Sequence, residues 1–140
     1  MNGMTLRRVG SDSANLLDRV APDVFDDDIV QARLATYLAQ PTNLLVVALK
    51  AGEVVGQAAA VIHHHPDRPT ELYIDNLGVT PDLKRQGIAT ATLDELVAWG
   101  GELGCEEIWV ATEPDNFPAR ALYQGRGSEA ETFAMYVYEY

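Results

Sequence analysis

Three groups of residues in this chain have types and spacing that could do chemistry. The first is the loop Lys84-Arg85-Gln86-Gly87-Ile88-Ala89-Thr90, which runs from a predicted strand into a helical pattern. A helix N-terminus carries unpaired backbone N–H groups and partial positive charge, so it attracts anions. Gly87 allows the backbone close to a phosphate, Lys84 and Arg85 add charge, and the Thr90 hydroxyl offers one more hydrogen bond. The loop lacks the second glycine and the Gly-Lys-Ser/Thr ending of a Walker loop, and it is not a dinucleotide fingerprint. The second group is His63-His64-His65. Consecutive strand residues point to alternate sides, so three in a row do not share one metal face, and Pro66 marks a hairpin end. A solvated loop and no metal are the expectation. The third is Cys105, expected to be a small buried hydrophobe rather than a nucleophile.

The rest of the composition bounds what those residues can serve. With 140 residues the chain is expected to form one domain, 1–140, large enough for a proper core. The net charge of −11 argues against nucleic acid or an anionic membrane as a partner and would suit a cationic one, such as an amine. No apolar run reaches the length of a membrane span, and the first residues lack the apolar core of a signal peptide. The single cysteine cannot close an internal disulfide, so a cytoplasmic location is expected.

Period and punctuation give the elements that must position these groups. Met4–Val9 reads as a strand, and Ser11-Asp12 as the cap of a first helix through Val20. Asp26, Asp27 and Asp28 suit the start of a second helix, in which Val30, Leu34, Tyr37 and Leu38 recur at helical spacing before Pro41. "NLLVVALK" and "EVVGQAAAVIHHH" read as hairpin strands joined at Ala51-Gly52, and Glu71–Val79 as a further strand. Ala89, Leu93, Leu96, Val97 and Leu103 share a helical face that Gly104 ends. "EEIWVAT" is a short strand, "FPARALYQ" a short helix, and "ETFAMYVYEY" a closing aromatic strand. In that strand Tyr136, Tyr138 and Tyr140 would share a face, either exposed or covered by a second copy in a homodimer. The pattern is α/β (α+β), one layer of mixed sheet with helices on its faces.

The loop Lys84-Arg85-Gln86-Gly87-Ile88-Ala89 resembles the pyrophosphate-binding signature Arg/Gln-x-x-Gly-x-Gly/Ala of the GNAT acyl-CoA-dependent N-acetyltransferases, with Lys84 at the position usually held by Arg or Gln. Asn116, Ala119 and Tyr123 in "NFPARALY" match that family's Asn-x-x-Ala-x-x-x-Tyr helix, in the right order and with a strand between. The order of elements matches too, so the resemblance covers nearly the whole chain. Within the family, the chain looks most like the small aminoglycoside 3-N-acetyltransferases and their uncharacterised relatives.

The resemblance implies the GNAT fold, a central mixed, mostly antiparallel sheet flanked by helices. It implies an acyltransferase that moves an acetyl group from acetyl-CoA directly to a primary amine of a small cationic acceptor, an aminoglycoside or a polyamine, without a metal. Backbone amides at Leu77, Gly78 and Val79 would hold the donor, with Lys84 through Thr90, Asn116 and Ala119 completing its site. Tyr123 would be the general acid for the departing thiolate. An alkylamine must lose a proton near neutral pH, and Asp75, then Glu71, are the candidate bases. A one-residue shift on the strand decides whether Asp75 or Asn76 faces the acceptor. Asp26–Asp28, Glu113 and Asp115 either line an acidic mouth or serve as caps and solvated loops. A peptide or protein amine is the alternative acceptor, and a non-catalytic CoA-binding sensor the alternative function.

Overall fold

Hydrophobic runs bounded by turns build a five-stranded sheet in the computed structural model, which describes residues 3–140. Its strands β1 (Met4–Arg8), β2 (Asn43–Lys50), β3 (Glu53–His63), β4 (Glu71–Val79) and β5 (Glu107–Val110) lie in sequence order across the sheet. The first four pair antiparallel, and β5 runs parallel to β4. Ala51 and Gly52, both at positive φ, make the tight β2–β3 turn.

Strands β2 and β3 are buried on both faces, as their mostly apolar runs require, with Gln57 the one buried polar side chain between them. On one face lie a 3-10 segment, Ser11–Asp18, and helix α1 (Gln31–Leu38), packed over Leu45, Val47, Val55 and Ala59. On the other lie α2 (Ile88–Glu102) and α3 (Phe117–Gln124), over Leu44, Val46, Leu72 and Ile74. Leu44, Leu72 and Leu96 are almost wholly buried; each such side chain contributes about 1.5–3 kcal/mol by leaving water. Among the described residues no helix is long and apolar enough to cross a membrane.

Three sequence expectations need correction. The segment after β1 is a kinked 3-10 turn, broken at Ser13, and not an α-helix through Val20. Helix α1 starts at Gln31 with Val30 as its N-cap, so Asp26–Asp28 lie before its first turn. Val24 causes the delay: it is 1% exposed, and its carbonyl accepts a 3.2 Å hydrogen bond from Gln57 Nε2. The chain is thereby pinned across the sheet before the helix can begin. Finally, residues 129–140 form no strand. Their alternation suits one, but a strand needs a partner edge, and β5 offers only four residues. Tyr136, Tyr138 and Tyr140 are exposed, and Phe133 meets Trp109 edge-on with ring centres 6.4 Å apart.

Candidate active site

The site begins where β4 and β5 part. They pair only from Glu71 to Ile74 against Glu107 to Val110, so the second half of β4 keeps a neighbour on the β3 side alone. At the parting point the register with β3 slips: Ala60 faces Ile74 and Ala59 faces Asn76, leaving Asp75 as the extra residue of a β-bulge. Beyond the bulge, Thr80 N–H donates to Val55 O at 2.9 Å. Alternation then turns the amides of Asn76 and Gly78 toward β3, and those of Leu77 and Val79 into the gap that β5 has left. Gly78 has a different task. A Cβ there would stand 2.1 Å from Val24 O, so only glycine lets the loop before α1 cross β4.

The basic loop follows at the same end of the sheet. Pro81–Leu83 form a 3-10 turn, and Arg85 and Gly87 take left-handed conformations at φ 66° and 82°. Gly87 caps α2 without any side-chain cap, and the first helical bond is Ala91 N–H to Gly87 O, 3.0 Å. The amides of Ile88, Ala89 and Thr90 therefore find no protein acceptor among the described residues. Nothing lies within 4 Å of a Cβ built on Gly87, so the space beside that residue is open. Ile88, 1% exposed, anchors the helix start to the core, while Lys84, Arg85, Gln86 and Gly87 stay exposed.

Helix α3 packs through Leu122 and Tyr123 against the same face of the sheet as α2. Asn116 Oδ1 accepts from Ala119 N–H at 3.3 Å and caps the helix, which continues through Phe117 and Pro118 to Tyr123. Tyr123 is half-buried against the cluster formed by α2 and the sheet. Its hydroxyl makes no hydrogen bond among the described residues, and burial pushes its pKa up, so it keeps its proton.

On the opposite face, the bulge opens into a cleft of about 400 Å³, lined among others by Phe25, Asp28, Tyr37, Asp75 and Asn76. The bulge thus answers which of the neighbours Asp75 and Asn76 looks into the cleft: both do. Burial raises the Asp75 carboxyl above the ordinary range, with its own backbone amide and His63 pulling it partly back. A carboxylate so raised is a stronger base in its ionised form. Tyr37 is also pushed up, by burial and then by the charge of Asp75, and its hydroxyl donates to Leu44 O at 2.8 Å.

Glu71 lies outside this lining. It is 8% exposed, and its Oε1 sits 3.2 Å from His63 Nδ1 and 3.2 Å from His65 Nε2. Burial acts to raise its carboxyl, but hydrogen bonds from the two histidines and the nearby charge of Arg68 outweigh that and lower it. The alternation argument holds for His64 but leaves His63 and His65 on one side, where Glu71 joins them. Cys105 is partly buried, and burial raises its thiol, which disfavours the nucleophilic thiolate. Of the cleft residues, Tyr37 has no sequence signal as a site residue: its helical spacing reads only as core.

Residues 13–127 match the sequence profile described as the acetyltransferase (GNAT) family. An aminoglycoside N(6')-acetyltransferase type 1 of Salmonella typhimurium is 26% identical over 87 residues, covering 59% of this chain and 60% of that protein. An uncharacterized N-acetyltransferase of Mycobacterium tuberculosis is 28% identical over 102 residues, 73% of this chain and 63% of that one. The chain thus spans about 60% of the length of these curated relatives. Among solved structures, an aminoglycoside acetyltransferase from an uncultured soil metagenomic sample, in complex with sisomicin, superposes with a TM-score of 0.81 at 20% identity, covering 99% of this chain and 97% of that one. The aminoglycoside N-acetyltransferase AAC(6')-Iy in complex with CoA gives 0.77 at 21% identity, with 97% and 94% covered. At such identities the structural likeness is one of fold. The Salmonella protein and AAC(6')-Iy carry 6' in their names, where the sequence resemblance pointed to 3-N enzymes.

Proposed function

The chain belongs to the acetyltransferase (GNAT) family, and from that premise we propose that it transfers an acetyl group from acetyl-CoA to a primary amine of a small cationic acceptor, of the aminoglycoside or polyamine class. The observation that carries the reading is the start of α2, with no side-chain cap, three amides without a protein acceptor among the described residues and open space beside Gly87, near a strand whose outward amides have lost their partner. Acetyl-CoA would supply the acetyl group as a thioester. The residues present fit it: the amides of Ile88, Ala89 and Thr90, with Lys84 and Arg85, suit a pyrophosphate, and Gly87 keeps the approach clear.

The Leu77 and Val79 amides, unpaired toward the gap, would donate hydrogen bonds to the thioester carbonyl and its amide-bearing arm, and aligned amides there would favour charge developing on the carbonyl oxygen. Asp75 takes the proton of the acceptor ammonium, and Asp28 adds a second negative charge to the same cleft against the single positive charge of Arg33, so the lining stays net negative and favours a cation. Tyr123, protonated and without a hydrogen-bond partner among the described residues, gives its proton to the departing sulfur and is reprotonated by the second proton that the nitrogen loses as the amide forms. Net charge of −11 supports a cationic acceptor, and the names of the aminoglycoside relatives support that class.

Free-thiol release from acetyl-CoA, corrected for Cys105 with a protein-only blank, tests the reading. The acceptors would be an aminoglycoside with free 3- and 6'-amines, a polyamine, a lysine peptide and an N-terminal peptide. Turnover with the aminoglycoside or polyamine is expected, and product mass and NMR would name the amine. Turnover confined to the peptides would replace the small acceptor by a peptide amine. Acetyl-CoA binding with no turnover on any of them would reduce the function to CoA sensing.

A further inference from the structure

The three histidines before the β3–β4 turn lose their equivalence on folding. His63 ends β3 and pairs across the antiparallel register with Glu71, which begins β4. His65 returns to the same side, its ring centre 6.1 Å from that of His63. His64 turns away, with Nδ1 3.5 Å from Thr70 Oγ1. Two imidazole nitrogens and one carboxylate oxygen therefore converge, one atom from each residue, all within 4.8 Å of one another.

We propose that His63, His65 and Glu71 bind one divalent transition-metal ion of the zinc class, with its remaining position open to water. Two imidazoles and a carboxylate are a donor set that such ions take. Each histidine nitrogen stands 3.2 Å from Glu71 Oε1. For ligand atoms about 2.1 Å from a shared ion, each of these two separations corresponds to a ligand–metal–ligand angle of about 100°, between octahedral and tetrahedral values. The two imidazole nitrogens lie within 4.8 Å of each other and must stand within about 4.2 Å to share the ion. The support is rigid: Glu71 is 8% exposed within a paired strand, and the His63 ring stacks on Tyr73 at 5.7 Å with 14° between planes. Access is open as well, because the His63 side chain is 43% exposed.

Arg68 is the opposing feature. Its Nη2 lies 3.2 Å from His65 Nδ1 and 3.5 Å from His65 Nε2, the coordinating nitrogen, so this guanidinium on the exposed turn must move aside for the ion to bind. Binding exchanges the imidazole contacts to Glu71 for bonds to the ion, and any proton held on the coordinating nitrogens is released to solvent. An occupied site also engages the Glu71 oxygen, which leaves Asp75 as the base facing the cleft.

The test uses the full chain without a polyhistidine tag, stripped of metal by a chelator and titrated with Co²⁺, then with Zn²⁺. One equivalent of Co²⁺ with a visible absorption band, displaced by Zn²⁺, is expected. His65→Ala and Glu71→Gln are expected to weaken binding by at least roughly tenfold, the lower end of what even a lost supporting contact costs. His64→Ala and Cys105→Ser should bind as the parent does, and Arg68→Ala at least as tightly. Far-UV circular dichroism checks that each variant is folded; if Glu71→Gln is not, His65→Gln carries the test. The proposal is overturned if the parent binds no stoichiometric metal, if folded His65 variants bind undiminished, or if His64→Ala abolishes binding.

Discussion

The two sides of β4 are built in opposite ways. On the side of the β4–β5 gap, the site is made of contiguous backbone: Leu77 and Val79, then Gly87 and the first turn of α2, follow one another within a few residues. On the cleft side it is assembled from side chains that come from far apart, Asp28 before α1, Tyr37 within it and Asp75 on the bulge. Backbone amides are the same in every sequence, so a gap-side site can serve one constant ligand across many proteins. Side chains on a loop and a short helix can be exchanged without disturbing the sheet, which suits a partner that varies.

Substitutions can break that contrast in graded steps. The largest effect is expected at Tyr123: Tyr123→Phe should lower turnover by roughly 10²–10⁴-fold, the usual worth of a positioned acid, with acetyl-CoA affinity unchanged. Steady-state rates beside a binding titration check it, and equal turnover would remove the hydroxyl from the chemistry.

Asp75→Asn should cost about 10²-fold and remove the acid limb of the pH–rate profile. A base must be ionised to act, so the parent's rate should rise with pH through a pKa above the ordinary aspartate value. An unchanged limb in the variant would assign it to another group. Stability should move the other way. Burial raises the folded pKa of Asp75, so the folded state binds the proton more tightly than the unfolded chain, and the fold loses stability as pH rises through that range. Asp75→Asn is therefore expected to raise Tm slightly at neutral pH, as seen by calorimetry, even as it loses activity.

The smallest effect should come from Asn116→Ala. It removes the cap of α3 and should cost about 1 kcal/mol in chemical denaturation, with a modest loss of rate through misplacement of Tyr123. A loss of rate as large as that of Tyr123→Phe would give Asn116 a direct role.

The same contrast explains what the sequence revealed. The loop from Lys84 to Thr90 and the helix from Asn116 to Tyr123 were legible because each is a local pattern whose spacing is its geometry. Strands β2 to β4 were legible from mostly apolar, β-branched-rich runs between turn residues. The cleft was not, because the meeting of Asp28, Tyr37 and Asp75 depends on where Val24 pins a loop and where the register slips. Alternation along the strand ruled out three adjacent histidines as a set, but it could not foresee Glu71 arriving opposite His63 from the next strand. The aromatic tail has the right period but pairs with no strand among the described residues.

The central claim is that the bare start of α2 holds the phosphates of acetyl-CoA, and calorimetric titration of acetyl-CoA into the parent and into Gly87→Glu tests it most directly. Gly87 stands at φ 82° with open space beside it, so a glutamate there strains the turn and sets a negative charge beside the free amides. The account predicts one equivalent bound by the parent and no measurable binding by a folded Gly87→Glu. Equal affinity in the two proteins would contradict it and move the phosphates away from α2.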